Sequence, residues 1–167
     1  LYTYGAEKVL TVSNDSLSTF NAKEYAGVLV QAANKENATV VVVDSSINSL
    51  YMTPLVAVGL EAGYASNTVT APSNTNPFTI KRKAFSNKAF SNPVISADKK
   101  VIGLAKNSFG IHENPVAGTL EVFDADVVAS GVKSESVERV TGKVTIADAV
   151  TVVSAGRGLK GPENWAM

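Results

Sequence analysis

Hydrophobic spacing changes character partway along this chain, and the change divides what can be expected of its fold. Early on, Lys8-Val9-Leu10-Thr11-Val12 is a short apolar run after Gly5 and predicts a strand. Tyr2-Thr3-Tyr4-Gly5, just before it, has the form of a helix tail reaching its glycine stop. Within Asn21–Asn37, Ala22, Ala26, Leu29, Val30 and Ala33 recur at three-to-four spacing, with Lys23, Glu24, Gln31 and Lys35 elsewhere, which predicts an amphipathic helix. The hydroxyl of Ser18 or Thr19 stands where it would cap that helix. Thr39-Val40-Val41-Val42-Val43 is apolar without alternation. A strand covered on one face alternates, so this one is expected in the middle of a parallel sheet, buried on both faces. Ser49–Ala62 predicts a second helix, with Pro54 tolerable near its first turn.

From Ala65 to Val144 the pattern becomes a series of short strand-like runs: Asn67–Ala71, Phe78–Phe85, Lys88–Ile95, Lys100–Lys106, Thr119–Phe123 and Ser136–Val144. Asn, Ser, Pro and Gly clusters separate them, and Phe78-Thr79-Ile80-Lys81-Arg82 alternates as a strand wet on one face does. Thr141–Asp148 then leads to a last strand, Ala149–Val153, a Gly156-Arg157-Gly158 turn and the opening of a helix. The expected class is α/β: a parallel-sheet, three-layer half of flavodoxin-like or nucleotide-hydrolase-like type, with an antiparallel β portion.

Composition narrows the chemistry. The 167 residues suffice for one domain with a sizeable core, or one domain and part of another. Fifteen basic and fifteen acidic side chains cancel, so no global field draws the chain to nucleic acid or an anionic membrane. The absence of cysteine excludes disulfides, thiolate catalysis and cysteine zinc sites, and a single histidine leaves little for a metal site or a triad. No apolar stretch approaches the roughly 20 residues that span a bilayer, so no membrane insertion is expected. The start, LYTYGAEKVL, lacks a basic region followed by an apolar core, and both ends read as cut.

Candidate sites are few. His112 lies in a loop between turn residues; a hydrolytic or transferase reading would pair it with Glu113 or Asp124, and a solvated loop histidine is the preferred reading. Lys81-Arg82-Lys83 reads as a solvated face, without the aromatic run a nucleic-acid surface needs. Asp124 and Asp126 are assigned no chemistry. Asp44-Ser45-Ser46, at the end of a parallel strand, is where a stand-alone adenine-nucleotide-binding domain would hold its ligand, although no glycine-rich loop follows it. Gly156-Arg157-Gly158 differs in kind. Its glycines allow close backbone approach, and Arg157 offers a fixed fork of donors to a phosphate or a flavin carbonyl.

Val152-Val153-Ser154-Ala155-Gly156-Arg157-Gly158-Leu159-Lys160-Gly161-Pro162-Glu163-Asn164-Trp165 resembles the segment that opens the flavin-binding domain of electron transfer flavoprotein alpha subunits, typically V-V-S-G-G-R-G-L-K-x-x-E-N-F, departing at Ala155 and Trp165. Tyr4-Gly5-Ala6-Glu7-Lys8-Val9 is similar to that family's Y-G-A-D-K-V. Thr53–Gly63 is similar to A-P-R-L-A-A-R-L-x-A-G, with Leu55 and Val58 in place of arginines. Arg82–Ala89 is similar to R-P-x-x-x-G-K-A, with Asn87 in the glycine position, and Lys106-Asn107-Ser108-Phe109 to the end of the next strand.

The resemblance implies an amino-terminal α/β domain over 1–146, lacking its first strand and helix, and the incomplete start of the FAD-binding domain over 147–167. It implies a carrier rather than an enzyme. The parent would be a heterodimer with the beta subunit, taking electrons from flavoprotein dehydrogenases and passing them to a membrane-associated, quinone-linked oxidoreductase. FAD would be held by the full-length parent, mainly through later segments, and not by this stretch alone. Arg157 matches a flavin-contacting position, with Gly156 and Gly158 as its backbone setting. The expected role is scaffold and beta-subunit interface, with no nucleic-acid partner, in a bacterial cytoplasm in preference to a mitochondrial matrix.

Overall fold

Asn21, and not Ser18 or Thr19, starts the first long helix. Its Oδ1 accepts from the backbone N–H groups of Lys23 (3.1 Å) and Glu24 (3.3 Å), so α1 (Ala22–Lys35) opens with free donors satisfied. Ser18 belongs instead to a preceding 3-10 turn, Asp15–Ser18, which Asn14 caps. The Nδ2 of Asn21 also donates to Ser130 Oγ (2.6 Å) and the Val132 carbonyl (3.0 Å), contacts that no local spacing encodes.

The computed structural model describes residues 1–138, 141–146 and 149–164, which fall into two units, Leu1–Ser134 and Glu135–Met167. In the first unit the elements are β1 (Lys8–Thr11), α1, β2 (Val40–Val43), α2 (Ile47–Gly59), β3 (Gly63–Thr68), β4 (Asn74–Thr75), β5 (Phe78–Thr79), β6 (Arg82–Ala84), β7 (Ala89–Ser91), β8 (Val94–Ile95), β9 (Lys100–Leu104) and β10 (Thr119–Val122). Tyr2–Tyr4 is a 3-10 turn closed by Gly5 at φ 92°, the glycine stop expected there.

The main sheet runs β2-β9-β3-β6-β7. β9 pairs in parallel with β2 and with β3, whereas β6 and β7 are antiparallel. A parallel α/β half therefore does lead into an antiparallel portion, but β9 returns to the parallel part, and β10 pairs in parallel with β1 in a separate two-stranded sheet. A third sheet, β4-β5-β8, is antiparallel. The long runs expected at Phe78–Phe85 and Lys88–Ile95 each break in two, because Phe78 and Ile95 pair in the small sheet while Arg82 and Ser91 pair in the main one.

Side-chain alternation on β9 organises the core. Val101 packs with Ala26, Ala33, Met52, Val56 and Leu60 under the two helices. Its neighbour Ile102 faces the other way and packs with Ala65, Ile80 and Ile95 under the small sheet. Helices, main sheet and small sheet make three layers. Val56, Ile80 and Val101 are fully buried, each contributing about 1.5–3 kcal/mol of transfer free energy.

Two expectations change here. β2 is an edge strand rather than a central one. Val41 and Val43 face the helices, but Val40 and Val42 stay 39% and 53% exposed because the small sheet does not reach that far. Pro54 sits inside α2 rather than in its first turn. It lies on the exposed side of the helix with Leu50, so water can take the Leu50 carbonyl that loses its partner. Ser46 begins α2, its Oγ accepting from the Ser49 N–H at 3.2 Å.

In the second unit the strand expected over Ala149–Val153 does not form; Val150 and Val153 are almost wholly exposed. β-branched residues favour an extended backbone, but a strand needs a partner edge, and these residues pair with none among the described residues. No strand forms among the described residues of the Ser136–Val144 run; Arg139 and Val140 of that run, Asp148 of the connection and Trp165 of the motif lie outside the described residues.

Candidate functional site

Gly156-Arg157-Gly158 begins a single 3-10 turn, Arg157–Leu159, instead of a helix. Backbone bonds from Leu159 to the Gly156 carbonyl (3.0 Å) and from Lys160 to the Arg157 carbonyl (3.1 Å) close it. A second 3-10 turn, Pro162–Asn164, follows, and Asn164 Nδ2 braces the Leu159 carbonyl at 2.9 Å. Gly156 has φ −75°, which any residue adopts. A Cβ on Gly156 or Gly158 would meet nothing within 4 Å, so the glycines leave the approach to Arg157 clear. Ala155, where the motif favours glycine, does not take a positive φ and is unstrained.

Arg157 is exposed, and its guanidinium has no hydrogen-bond partner among the described residues. An unengaged donor fork beside an open backbone fits one polar edge of a flavin or a phosphate. None of the described residues of this unit is buried, so they form no apolar slot for a ring system.

Asp44-Ser45-Ser46 is a closed knot. Asp44 Oδ1 accepts from the hydroxyls of Ser46 (3.2 Å) and Ser49, and Thr53 Oγ1 donates to the Ser49 carbonyl at 2.6 Å. The carboxylate thus stands at the α2 N-terminus, where a nucleotide phosphate would have to sit, and it would repel that phosphate. A cavity of about 600 Å³ opens between the end of β1 and the helices, lined mainly by Leu10, Val12, Val28, Leu29 and Met52. Its polar lining comes from side chains such as Ser13, Asn14 and Tyr25, and the Tyr25 hydroxyl is already committed to the Leu17 carbonyl at 2.7 Å. No carboxylate, lysine, arginine or histidine lines it.

His112, Glu113 and Asp124 are exposed, and His112 has no hydrogen-bond partner among the described residues. Asp126 is held through its backbone, its N–H donating to Gln31 Oε1 (2.9 Å) and its carbonyl accepting from Gln31 Nε2 (2.7 Å). Among the described residues no three His, Asp or Glu side chains gather as metal ligands would.

A charged cluster forms that the sequence spacing does not show. Lys8 Nζ donates to Glu36 Oε1 (2.7 Å) and Glu121 Oε2 (2.8 Å), and Lys35 donates to Glu121 as well. Hydrogen bonds from Lys35 and Lys8 hold the Glu121 carboxyl at about 2, well below the usual carboxylate range. The same contact, with Glu36, raises Lys8. The signal was weak in the sequence because the four residues come from β1, the end of α1 and β10.

Lys81-Arg82-Lys83, expected as one solvated face, divides. Arg82 turns inward, Nε donating to the Ser66 carbonyl (2.9 Å) and Nη2 to Ser66 Oγ (3.1 Å), while Lys81 lies 4.4 Å from the Phe90 ring centroid.

With this geometry established, comparison with known proteins gives a consistent result. The electron transfer flavoprotein domain family matches residues 1–141. The electron transfer flavoprotein subunit alpha of Bacillus subtilis is 26% identical over 169 residues, covering 99% of this chain and 52% of its own length. The protein of the same name from Syntrophomonas wolfei is 27% identical over 167 residues, covering 96% and 51%. That from Thermoanaerobacterium thermosaccharolyticum is 23% identical over 176 residues, covering 99% and 52%. The chain spans about half the length of the curated relatives it matches.

Proposed function

This chain belongs to the electron transfer flavoprotein domain family, and from that premise we propose that it is part of an alpha subunit of an FAD-containing electron carrier. Residues 1–146 would be its α/β domain and 147–167 the opening of its FAD-binding domain. The observation that carries the reading is the family match over 1–141, joined to three relatives that all bear the alpha-subunit name. The parent works as a carrier without a substrate of its own, paired with a beta subunit. It accepts electrons from flavoprotein dehydrogenases and delivers them to a membrane-associated, quinone-linked oxidoreductase, in a bacterial cytoplasm.

In that setting FAD supplies the redox chemistry. The two-sided core around Val101 and Ile102 keeps the α/β domain rigid as a scaffold. Arg157, with Gly156 and Gly158 clearing its approach, donates to a polar edge of the cofactor and places a permanent positive charge beside it.

The test is FAD retention in an alpha subunit containing these residues, co-purified with its beta subunit. Arg157→Ala should weaken FAD binding about 10- to 100-fold, the size of one lost charge-assisted hydrogen bond. Arg157→Lys should recover only part of it. Unchanged retention removes Arg157 from the site, and failure of the two subunits to associate removes the heterodimer. Tight binding of an adenine nucleotide by the chain 1–167 itself would favour a stand-alone nucleotide-binding domain.

A further inference from the structure

Charge is segregated in this neutral chain. From residue 62 to residue 97 there is no aspartate or glutamate, yet Lys81, Arg82, Lys83 and Lys88 all fall in that stretch. These residues belong to or flank the hairpin of β6 and β7 at one end of the main sheet, and β7 is its edge strand. Arg82 is consumed by Ser66. The three lysines have no carboxylate partner among the described residues.

Hairpin register gathers the remainder. Lys83 pairs with Phe90, so the two share a face, and Lys81, two residues back, reaches the same ring. At the tip, Phe85, Ser86 and Asn87 take φ values of 50°, 52° and 66°, and Lys88 N–H closes the turn on the Phe85 carbonyl at 3.1 Å. A phenylalanine in the left-handed region is strained. Here the strain carries Phe85 into water at 82% exposure, with Phe90 61% exposed beside it. Among the described residues packing covers neither ring, although Lys81 stands over one face of Phe90.

We propose that this hairpin is a docking surface for a protein partner presenting carboxylates around an apolar contact, and, resting on the reading above, that the partner is the beta subunit. Aromatic anchors ringed by like charges and flanked by an unpaired strand edge are the parts of a protein interface. A second copy of this chain docked on the same hairpin would bring two like-charged lysine clusters together and is disfavoured. Nucleic acid would leave the strand edge unused and finds no free arginine here.

The experiment measures beta-subunit affinity of the alpha subunit and three variants: Lys83→Glu with Lys88→Glu, Phe85→Ser, and a control moving equal charge elsewhere, Lys23→Glu with Lys133→Glu. The hairpin charge variant should weaken binding about tenfold or more, with a shallower salt dependence, and Phe85→Ser should weaken it without changing that dependence. The control should bind as wild type, and unchanged thermal midpoints show that all have folded. Hairpin variants that bind as tightly as wild type overturn the proposal. So does loss confined to phosphatidylserine vesicles or single-stranded DNA. Wild type failing to bind the beta subunit would instead overturn the alpha-subunit reading.

Discussion

Thr68 is 2% exposed, and its Oγ1 has no hydrogen-bond partner among the described residues. Its backbone is well used, the carbonyl accepting from Ala105 at 2.8 Å, so the unmet group is the hydroxyl alone. Exchanging that hydroxyl for a methyl keeps the shape and removes a desolvation penalty of about 1–3 kcal/mol. Thr68→Val is therefore expected to raise the unfolding free energy by about 1 kcal/mol in urea titration; a lower value would show that the hydroxyl is satisfied by water. Single positions were unevenly legible in the sequence. Asn87 stands where the family pattern has glycine and does take φ 66°, which asparagine tolerates better than most residues. Ser18, Thr19 and Asn21 are all good caps for α1, and Asn21 takes the role because the choice among them depends on where the helix meets the core.

Two glycines separate helix propensity from packing. Gly27 lies on the exposed side of α1, and a Cβ there would meet nothing within 4 Å. Gly27→Ala should stabilise by about 0.5–1 kcal/mol, the entropy a glycine loses in a helix. Gly59 ends α2 where it crosses α1, and a Cβ there would stand 2.7 Å from Val30 Cγ2. Gly59→Ala should destabilise despite alanine's better propensity, as thermal unfolding of the pair will show; equal gains from both would mean that the helices can part freely. Elements with a strong period, α1 above all, were legible because amphipathic spacing reports the face that meets the core. The centre of the sheet was not. Val40–Val43 is the more apolar run, yet Lys100–Leu104 holds the position buried on both sides, because Lys100 and Gly103 disguise it and strand order is set by non-local pairing. Ala149–Val153 failed for the same reason in reverse: the residues favour a strand, but the partner is a separate requirement. The turn at Arg157 is legible from its two glycines, its expected tie to a flavin comes only from the longer motif, and the β6–β7 face needs the register of Lys83 with Phe90.

Within the first unit, the two-stranded sheet of β1 and β10 contributes to neither core cluster, and its Leu120 and Val122 stay exposed. Ion pairs fasten it to α1 instead. Glu121 on β10 receives Lys8 of β1 and Lys35 of α1, Glu36 receives Lys8, and Lys35 also lies 4.9 Å from the Phe123 ring centroid. With its carboxyl at about 2 in the folded chain against an ordinary 4.5, Glu121 adds stability that is fully present above the ordinary value and is lost as pH falls through the folded one. Lys8, raised above 10.5, works in the opposite direction: its share holds below that value and fades as pH climbs through the raised one. The difference in urea midpoint between wild type and Glu121→Gln should therefore be level from about pH 5 to about pH 9 and shrink toward zero near about pH 2. It should also narrow as salt rises from about 0.1 M to about 1 M, because the pairs are partly exposed and screened. If the difference persists unchanged in acid, Glu121 acts through packing and not through charge, and the β1–β10 sheet is held to α1 by something other than these pairs.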